Sequence, residues 1–326
     1  MDGAVSVVIT CFNAADFVAD AIDSALAQRY PAVEVVVVDD ASTDGSWDVV
    51  AGYGDCVRAL RLSVNGGAPH ARNRGVEIAR GEWLMFLDAD DFIAPDTIEG
   101  LVEAGRRAPG SLVACPWEFR VRQPGGWLPH VPPRPFAPLG DPLAGWLEGI
   151  WAPPCAVLHP RQVYLSCGGF DETLRRNDDG DLVMRAFAGG AGMALATRGR
   201  GFYRRHLDTR PSLSSNNQSA AALWSQVRVF DKLAALLASQ GRLEGYRPLL
   251  EVQYGHVANH AFEVGNFAVA RECLARGGKG AAEVARSGTL AGRLLAAALG
   301  PERKHRVTRV LRGWRAALRR AVGRGG

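Results

Sequence analysis

No Cys-x-x-Cys pair and no metal-ligand spacing occurs among the six cysteines, at positions 11, 56, 115, 155, 167 and 273. They read as reduced core residues of a cytoplasmic protein rather than as a disulfide framework or a zinc site. No apolar run approaches the length that spans a bilayer, and Met1-Asp2-Gly3 leads into a strand without a basic, apolar leader. A secretory signal is therefore not expected. The first strand is followed by Thr10-Cys11-Phe12-Asn13-Ala14, which lacks the Gly-x-Gly-x-x-Gly turn of dinucleotide oxidoreductases. No Gly-x4-Gly-Lys-Ser/Thr loop is present either, which excludes a P-loop phosphotransferase. The seven histidines are scattered, and only His206 is singled out.

Length and composition allow a sizeable core: 326 residues, 47% of them hydrophobic, fit one large domain or two modest ones. The net charge of +4 is unevenly placed, since residues 301–326 hold nine Lys/Arg and one Glu, a local +8 that leaves −4 for the rest. Within that tail, Val307, Val310, Leu311, Trp314, Leu318 and Val322 fall on one helical face among arginines. Such a helix over 304–322 suits an anionic membrane surface, a partner protein or its own domain. Nucleic acid is not expected, because the positive charge has a single-helix footprint and no recognition fold accompanies it.

The chain is organised around Trp83-Leu84-Met85-Phe86-Leu87-Asp88-Ala89-Asp90-Asp91, an apolar run that stops in three carboxylates. A short, continuously apolar strand suits a parallel sheet covered on both faces, and ligands of such sheets bind beyond the carboxyl ends of the strands. Neighbouring carboxylates stay ionised together only when a cation or hydrogen-bond donors sit among them. Mg²⁺ and Mn²⁺ take oxygen ligands, and Mg²⁺ commonly uses one or two protein carboxylates and completes its shell with water and phosphates. Asp88 and Asp90 thus point to a metal-bridged diphosphate. The alternative is that Asp90 and Asp91 cap the helix that Pro95-Asp96 announces.

Elsewhere, strands are expected at 5–10, 33–38, 58–62, 112–119 and 197–203, separated by helical patterns at 14–28, 46–53, 68–79 and 95–107. Asn13 is read as a helix cap. This alternation predicts a parallel sheet with right-handed crossovers. Thr10–Asn13, Asp39–Asp44 and Asp88–Asp91 then converge on one side of it. Residues 122–142, rich in Pro and Gly, are read as a long loop over the site. Trp151 is either a wall beside a substrate or core packing. Asn177-Asp178-Asp179-Gly180-Asp181 opens a helix with more carboxylates than its dipole requires, which leaves one for acid–base work. From 220 to 298 the pattern is Ala/Leu-rich and helical, with breaks near Gly241, Gly265 and Gly277.

Taken in order, 5–13, 35–44, 65–81 with Ala71-Arg72-Asn73-Arg74-Gly75, 87–91, and 168–171 with 178–181 resemble the family 2 glycosyltransferases of the GT-A fold. The resemblance spans roughly residues 4–210. It implies an α/β, Rossmann-like, mainly parallel sheet over 1–214, with a nucleotide-binding half near 1–115 and an acceptor half near 116–214. A helical region over 215–300 and the basic tail 301–326 follow. By the same resemblance, Thr10, Phe12 and Asn13 line the nucleotide pocket, although the family usually has Pro-Thr-Tyr-Asn where this chain has Thr-Cys-Phe-Asn. Asp39 or Asp40, with Asp40 favoured, accepts a hydrogen bond from the base. Arg72 helps hold the nucleotide, Asp88 contacts ribose or metal, and Asp90 ligates Mn²⁺ or Mg²⁺. Asp179 is the general base, Asp178 stands where the family has Glu, on the acceptor side, where Trp151 is placed by its local sequence alone, and His206 lies near the metal and diphosphate.

The function so implied is metal-dependent, inverting transfer from a nucleoside-diphosphate sugar, UDP-linked being favoured, to an acceptor hydroxyl of a glycan, glycolipid or small molecule. Polysaccharide biosynthesis and a cytoplasmic location, peripheral at the inner membrane face, accompany it. The alternative is a non-catalytic sugar-nucleotide-binding scaffold on the same fold.

Overall fold

The computed structural model describes residues 3–123, 126–130, 140–205, 219–286 and 300. His206 and the basic tail 304–322 lie outside the described residues. The chain divides into two compact units, 1–212 and 213–326.

The first unit is built on a seven-stranded sheet in the order β10-β6-β9-β4-β1-β2-β3. Its strands are β1 (Val5–Cys11), β2 (Val33–Asp39), β3 (Arg58–Arg61), β4 (Trp83–Asp88), β6 (Leu112–Ala114), β9 (Val157–Pro160) and β10 (Met193–Leu195). The pairs β1–β2, β1–β4, β2–β3 and β6–β10 are parallel; β9 runs antiparallel between β4 and β6. All seven residues of β1 are buried. That explains the unbroken Val/Ile run, because helices cover both faces and no position faces water.

Helices α1 (Val18–Leu26), α2 (Ser46–Ala51), α3 (Ala68–Ile78) and α4 (Thr97–Arg107) connect the parallel strands. α1 buries Val18, Ala21, Ile22 and Ala25, the spacing of one helical face. α3 has few apolar residues and packs by proximity instead. A Cβ added to Gly75 would stand 2.4 Å from Val8 Cγ1, so only glycine lets α3 lie this close to β1. Two expectations are corrected here. Asn13 is not a helix cap: α1 begins five residues later, and Asn13 adopts a left-handed turn whose Oδ1 accepts the Thr43 N–H at 2.8 Å. Asp90 and Asp91 do not cap α4 either, since Asp96 precedes its first turn.

A second sheet, in the order β5-β11-β7-β8, combines β5 (Phe92–Ile93), β7 (Trp117–Gln123), β8 (Gly126–His130) and β11 (Gly201–Arg205). The stretch expected as one strand over 112–119 is therefore two, β6 and β7, in different sheets. Part of the expected 122–142 loop is a hairpin arm, with β8 antiparallel to β7. Arg204 fastens this sheet: its backbone N–H donates to Asp91 Oδ1 at 2.8 Å and its side chain to Asp20 at 2.5 Å. The rings of Phe92, Trp127 and Phe17 surround its guanidinium at 4.7, 5.3 and 5.6 Å. The remaining helices are α5 (Pro142–Leu147), α6 (Arg161–Ser166) and α7 (Asp178–Ala188).

The second unit comprises α8 (Ala220–Ser239), α9 (Leu243–Val264) and α10 (Phe267–Arg286). Breaks fall at Gly241, Gly265 and Gly278, each with positive φ. Gly255 and Gly277 let α9 and α10 approach closely, as a Cβ at either would meet the facing helix within 2.8 Å. At the Gly278 break, Glu251 accepts the Gly280 N–H at 3.1 Å and so caps the helix that resumes. No helix among the described residues is long and apolar enough to cross a membrane.

Candidate active site

The register of the parallel strands sets three polar groups side by side. Thr10 pairs with Asp88 and Cys11 with Asp39, so the carboxyl ends of β1, β2 and β4 form one ledge. Thr10 Oγ1 lies 3.4 Å from Asp88 Oδ1. Phe12, just beyond, is 49% exposed, which leaves half of a large apolar side chain open at the ledge. Asn13 and the 42–43 turn are joined by the Asn13 N–H on Ser42 Oγ at 3.0 Å, which braces the β1 and β2 loops against each other.

Asp39 and Asp40 are adjacent but do different things. Both Asp40 oxygens accept backbone N–H groups, from Gly66 at 2.9 Å and Gly67 at 2.8 Å, and thereby hold the loop into α3. Asp39 is fully buried; its Oδ1 accepts the Ser42 N–H at 3.1 Å, while Oδ2 has no hydrogen-bond partner. A buried carboxylate oxygen left unpaired is costly unless a ligand donor meets it. Asp39 thus keeps one unpaired oxygen, whereas both oxygens of Asp40 are spent on the loop.

At the end of β4, Asp88 and Asp90 are half-buried, whereas Asp91 turns into the core with 0% exposure. Burial, then the charges of Asp90 and Asp88, push the Asp91 carboxyl well above the usual range. The donor set that remains at the surface is oxygen only. No cluster of three or more metal-ligating side chains occurs among the described residues. Two half-buried carboxylates fit a hard divalent cation that takes its other ligands from water and phosphate.

Arg72, from α3, bridges this ledge to α7. It is 4% exposed, donates to Asp88 Oδ1 at 2.6 Å through one terminal nitrogen and to Asp178 Oδ2 through the other. Burial disfavours its charge, but Asp88, then Asp178 and Asp179, outweigh that and hold the cation. Asp178 is buried, and burial raises its carboxyl against the pull of Arg72. Asp179, half-buried in the first turn of α7, is pushed up to about 6 by burial and then by the Asp178 charge. It opens on a small apolar pocket lined by Phe86, Trp146, Ala152, His159, Phe170 and Leu182. His159 there is held neutral, as burial pushes it down to about 4.

Several contributors were not expected from the sequence. Asn73 uses its whole amide: Oδ1 accepts from Tyr164 Oη at 2.6 Å and the Phe170 N–H at 3.0 Å, and Nδ2 donates to Phe170 O and to Glu172 at 3.0 and 2.8 Å. It pins the turn before α7. Arg185 does the same from the other side, bonding Asp181 at 2.6 Å and the Gly169 carbonyl at 2.9 Å. Phe170 lies under Arg72 at 5.2 Å. The adjacency of Arg72 and Asn73, in the stretch 71–75, was the signal available. Trp151 stands on the loop after α5, 40% exposed, with one face 4.8 Å from the Trp117 ring. Its neighbour Ala152 lines the Asp179 pocket.

Residues 6–161 match the family described as Glycosyl transferase family 2. Succinoglycan biosynthesis protein ExoO of Rhizobium meliloti is 45% identical over 111 residues, 34% of this chain and 32% of that protein. The putative teichuronic acid biosynthesis glycosyltransferase TuaG of Bacillus subtilis is 38% identical over 102 residues, 30% of this chain and 40% of that one. The chain thus spans well under two thirds of the length of these relatives. Among solved structures, S. aureus TarS 1–349 in complex with UDP-GlcNAc superposes with a TM-score of 0.69 at 18% identity, covering 96% of this chain and 92% of that one. A ledge of polar residues at the carboxyl ends of parallel strands, the family match and the shared architecture agree: residues 6–161 form a family 2 glycosyltransferase domain, on a GT-A fold.

Proposed function

We propose that the protein transfers a sugar from a nucleoside-diphosphate donor, UDP-linked, to an acceptor hydroxyl with inversion at the anomeric carbon. The observation that carries this reading is Asp179, a half-buried carboxyl pushed up to about 6, which directly follows Asp178, the carboxylate that Arg72 ties to Asp88. A carboxylate near neutral is matched to taking a proton from a hydroxyl as that oxygen attacks.

In this reading Thr10, Phe12 and Asn13 wall the nucleoside, and Asp39 Oδ2 accepts from the base. Asp40 shapes the loop behind it. Asp88 and Asp90 would hold Mn²⁺ or Mg²⁺, and the cation, when bound, would offset charge on the leaving group. Asp179 removes the acceptor proton, on the side of the sugar opposite the leaving diphosphate. Asp178 and the exposed face of Trp151 border the acceptor. His206 and a membrane or partner contact through 304–322 belong to the same proposal on sequence grounds alone. Relatives named for succinoglycan and teichuronic acid biosynthesis support a glycan acceptor.

Calorimetric titration with UDP, GDP and dTDP, each with and without Mn²⁺, tests the donor site. Binding of UDP that requires Mn²⁺, followed by UDP release from a UDP-sugar, is the expected result. Binding without turnover favours the scaffold reading, and failure of all three nucleotides with the folded protein removes the donor site.

A further inference from the structure

Arg72 is among the most enclosed charged groups at the site: each terminal nitrogen meets a protein carboxylate, while its buried Nε has no hydrogen-bond partner. Its two terminal nitrogens are committed to Asp88 on β4 and Asp178 on α7, and the Phe170 ring covers it at 5.2 Å. A guanidinium is a rigid planar fork, so two charge-assisted bonds from it fix the distance between the two carboxylates it joins. One of those carboxylates stands at the donor ledge. The other immediately precedes Asp179 on the helix.

We propose that Arg72 is a positioning residue: it ties the first turn of α7 to the carboxyl end of β4, and so fixes where Asp179 stands relative to the donor, without contacting the nucleotide. This rests on Asp179 being the base. Asn73 and Arg185 anchor the turn before α7 and the helix behind it, and Arg72 adds a tie from the helix start to the ledge.

The charges around Asp179 give the proposal a signature. Asp178 and Asp181 lie on its own helix, with Asp181 neutralised by Arg185; Arg72 comes from α3, Asp88 from β4 and the neutral His159 from β9. Loss of the Arg72 charge makes Asp179 harder to ionise, and loss of the Asp178 charge makes it easier. The two changes therefore move the acid limb of the rate profile in opposite directions. General loosening of the site does not produce that pattern.

The experiment compares wild type, Arg72→Gln, Arg72→Lys, Asp178→Asn and Asp179→Asn, with UDP and Mn²⁺ as the binding probe and UDP release from UDP-GlcNAc as the rate, from pH 5 to 8. Arg72→Gln is expected to bind UDP within about 3-fold of wild type while kcat falls at least ~10-fold, as a displaced base requires. Its acid limb moves up by about half a pH unit, about 3-fold in rate on that limb, and Arg72→Lys recovers part of both changes. Asp178→Asn moves the limb down. UDP affinity that falls in step with kcat makes Arg72 a donor ligand and overturns the proposal, as does an unmoved limb in both charge variants. Should Arg72→Gln fail to fold, the limbs of Arg72→Lys and Asp178→Asn decide. Wild-type turnover by Asp179→Asn overturns the base assignment itself, a result separable from any effect at Arg72.

Discussion

A carboxylate that accepts a proton near neutral pH must be harder to ionise than a free aspartate, and Asp179 meets that condition through burial and the Asp178 charge. Asp179→Asn is expected to lower kcat by roughly 10²–10⁴-fold, the usual worth of a general base, with UDP affinity retained. A kcat near wild type sinks the assignment. The same shift has a consequence for stability. The folded-state value lies above the unfolded one, so the group's contribution is fully present below about pH 4 and is lost as pH rises through about 6. Asp179→Asn should therefore unfold no earlier than wild type at pH 8, and denaturant melts at pH 5 and 8 check this. Asp39→Asn is expected to weaken UDP binding more than Asp40→Asn weakens it in molecules that remain folded, because only Asp39 keeps an unpaired buried oxygen. At this scale the sequence singled out Asp39-Asp40 as a pair but not how the two divide their contacts. Consecutive strand-end side chains point to opposite sides, and nothing in Asp39-Asp40 says which one turns to the ledge and which to the Gly66-Gly67 loop.

The element that concentrates the most constraint is α3. Within five residues it supplies Arg72 to the carboxylates, Asn73 to the 168–172 turn and Gly75 to the contact with β1. A methyl at Gly75 would meet Val8 Cγ1 at 2.4 Å and Val38 Cγ2 at 3.2 Å. Gly75→Ala should therefore destabilise the fold by about 1–3 kcal/mol, the range for overpacked cores. Adding Val8→Ala, which removes the colliding Cγ1, should recover part of it, and a double-mutant cycle by urea denaturation measures the coupling. Strict additivity would mean that α3 simply moves away. The strands β1, β2 and β4 were legible because continuous apolar runs suit a doubly covered parallel sheet. The second sheet was not. β6 and β7 read as one strand because apolar residues continue through Cys115-Pro116, where the chain changes sheets. β8 read as loop because Gly and Pro dominate its surroundings, yet Pro129 is tolerated at an edge that needs no further N–H donor.

Over the whole molecule, every placed residue of the proposed site belongs to the first unit. The helical region after 220 was legible down to its glycine breaks, because breaks depend on local backbone freedom and not on long-range pairing. A ligand that binds only the folded first unit must stabilise it by mass action. UDP with Mn²⁺ at 100 times its dissociation constant adds about 2.7 kcal/mol, or roughly 5–10 °C in the melting temperature of a unit of about 200 residues. Removing Mn²⁺ with EDTA should abolish most of that shift if Asp88 and Asp90 hold the cation against the diphosphate. Asp90→Ala should do the same with Mn²⁺ present, while leaving the melting temperature of the unliganded protein within a few degrees of wild type, since Asp90 is half-exposed at the ledge. A UDP shift of full size in EDTA would show that the diphosphate is held by protein groups alone, and Asp90 would then lose its role as a metal ligand.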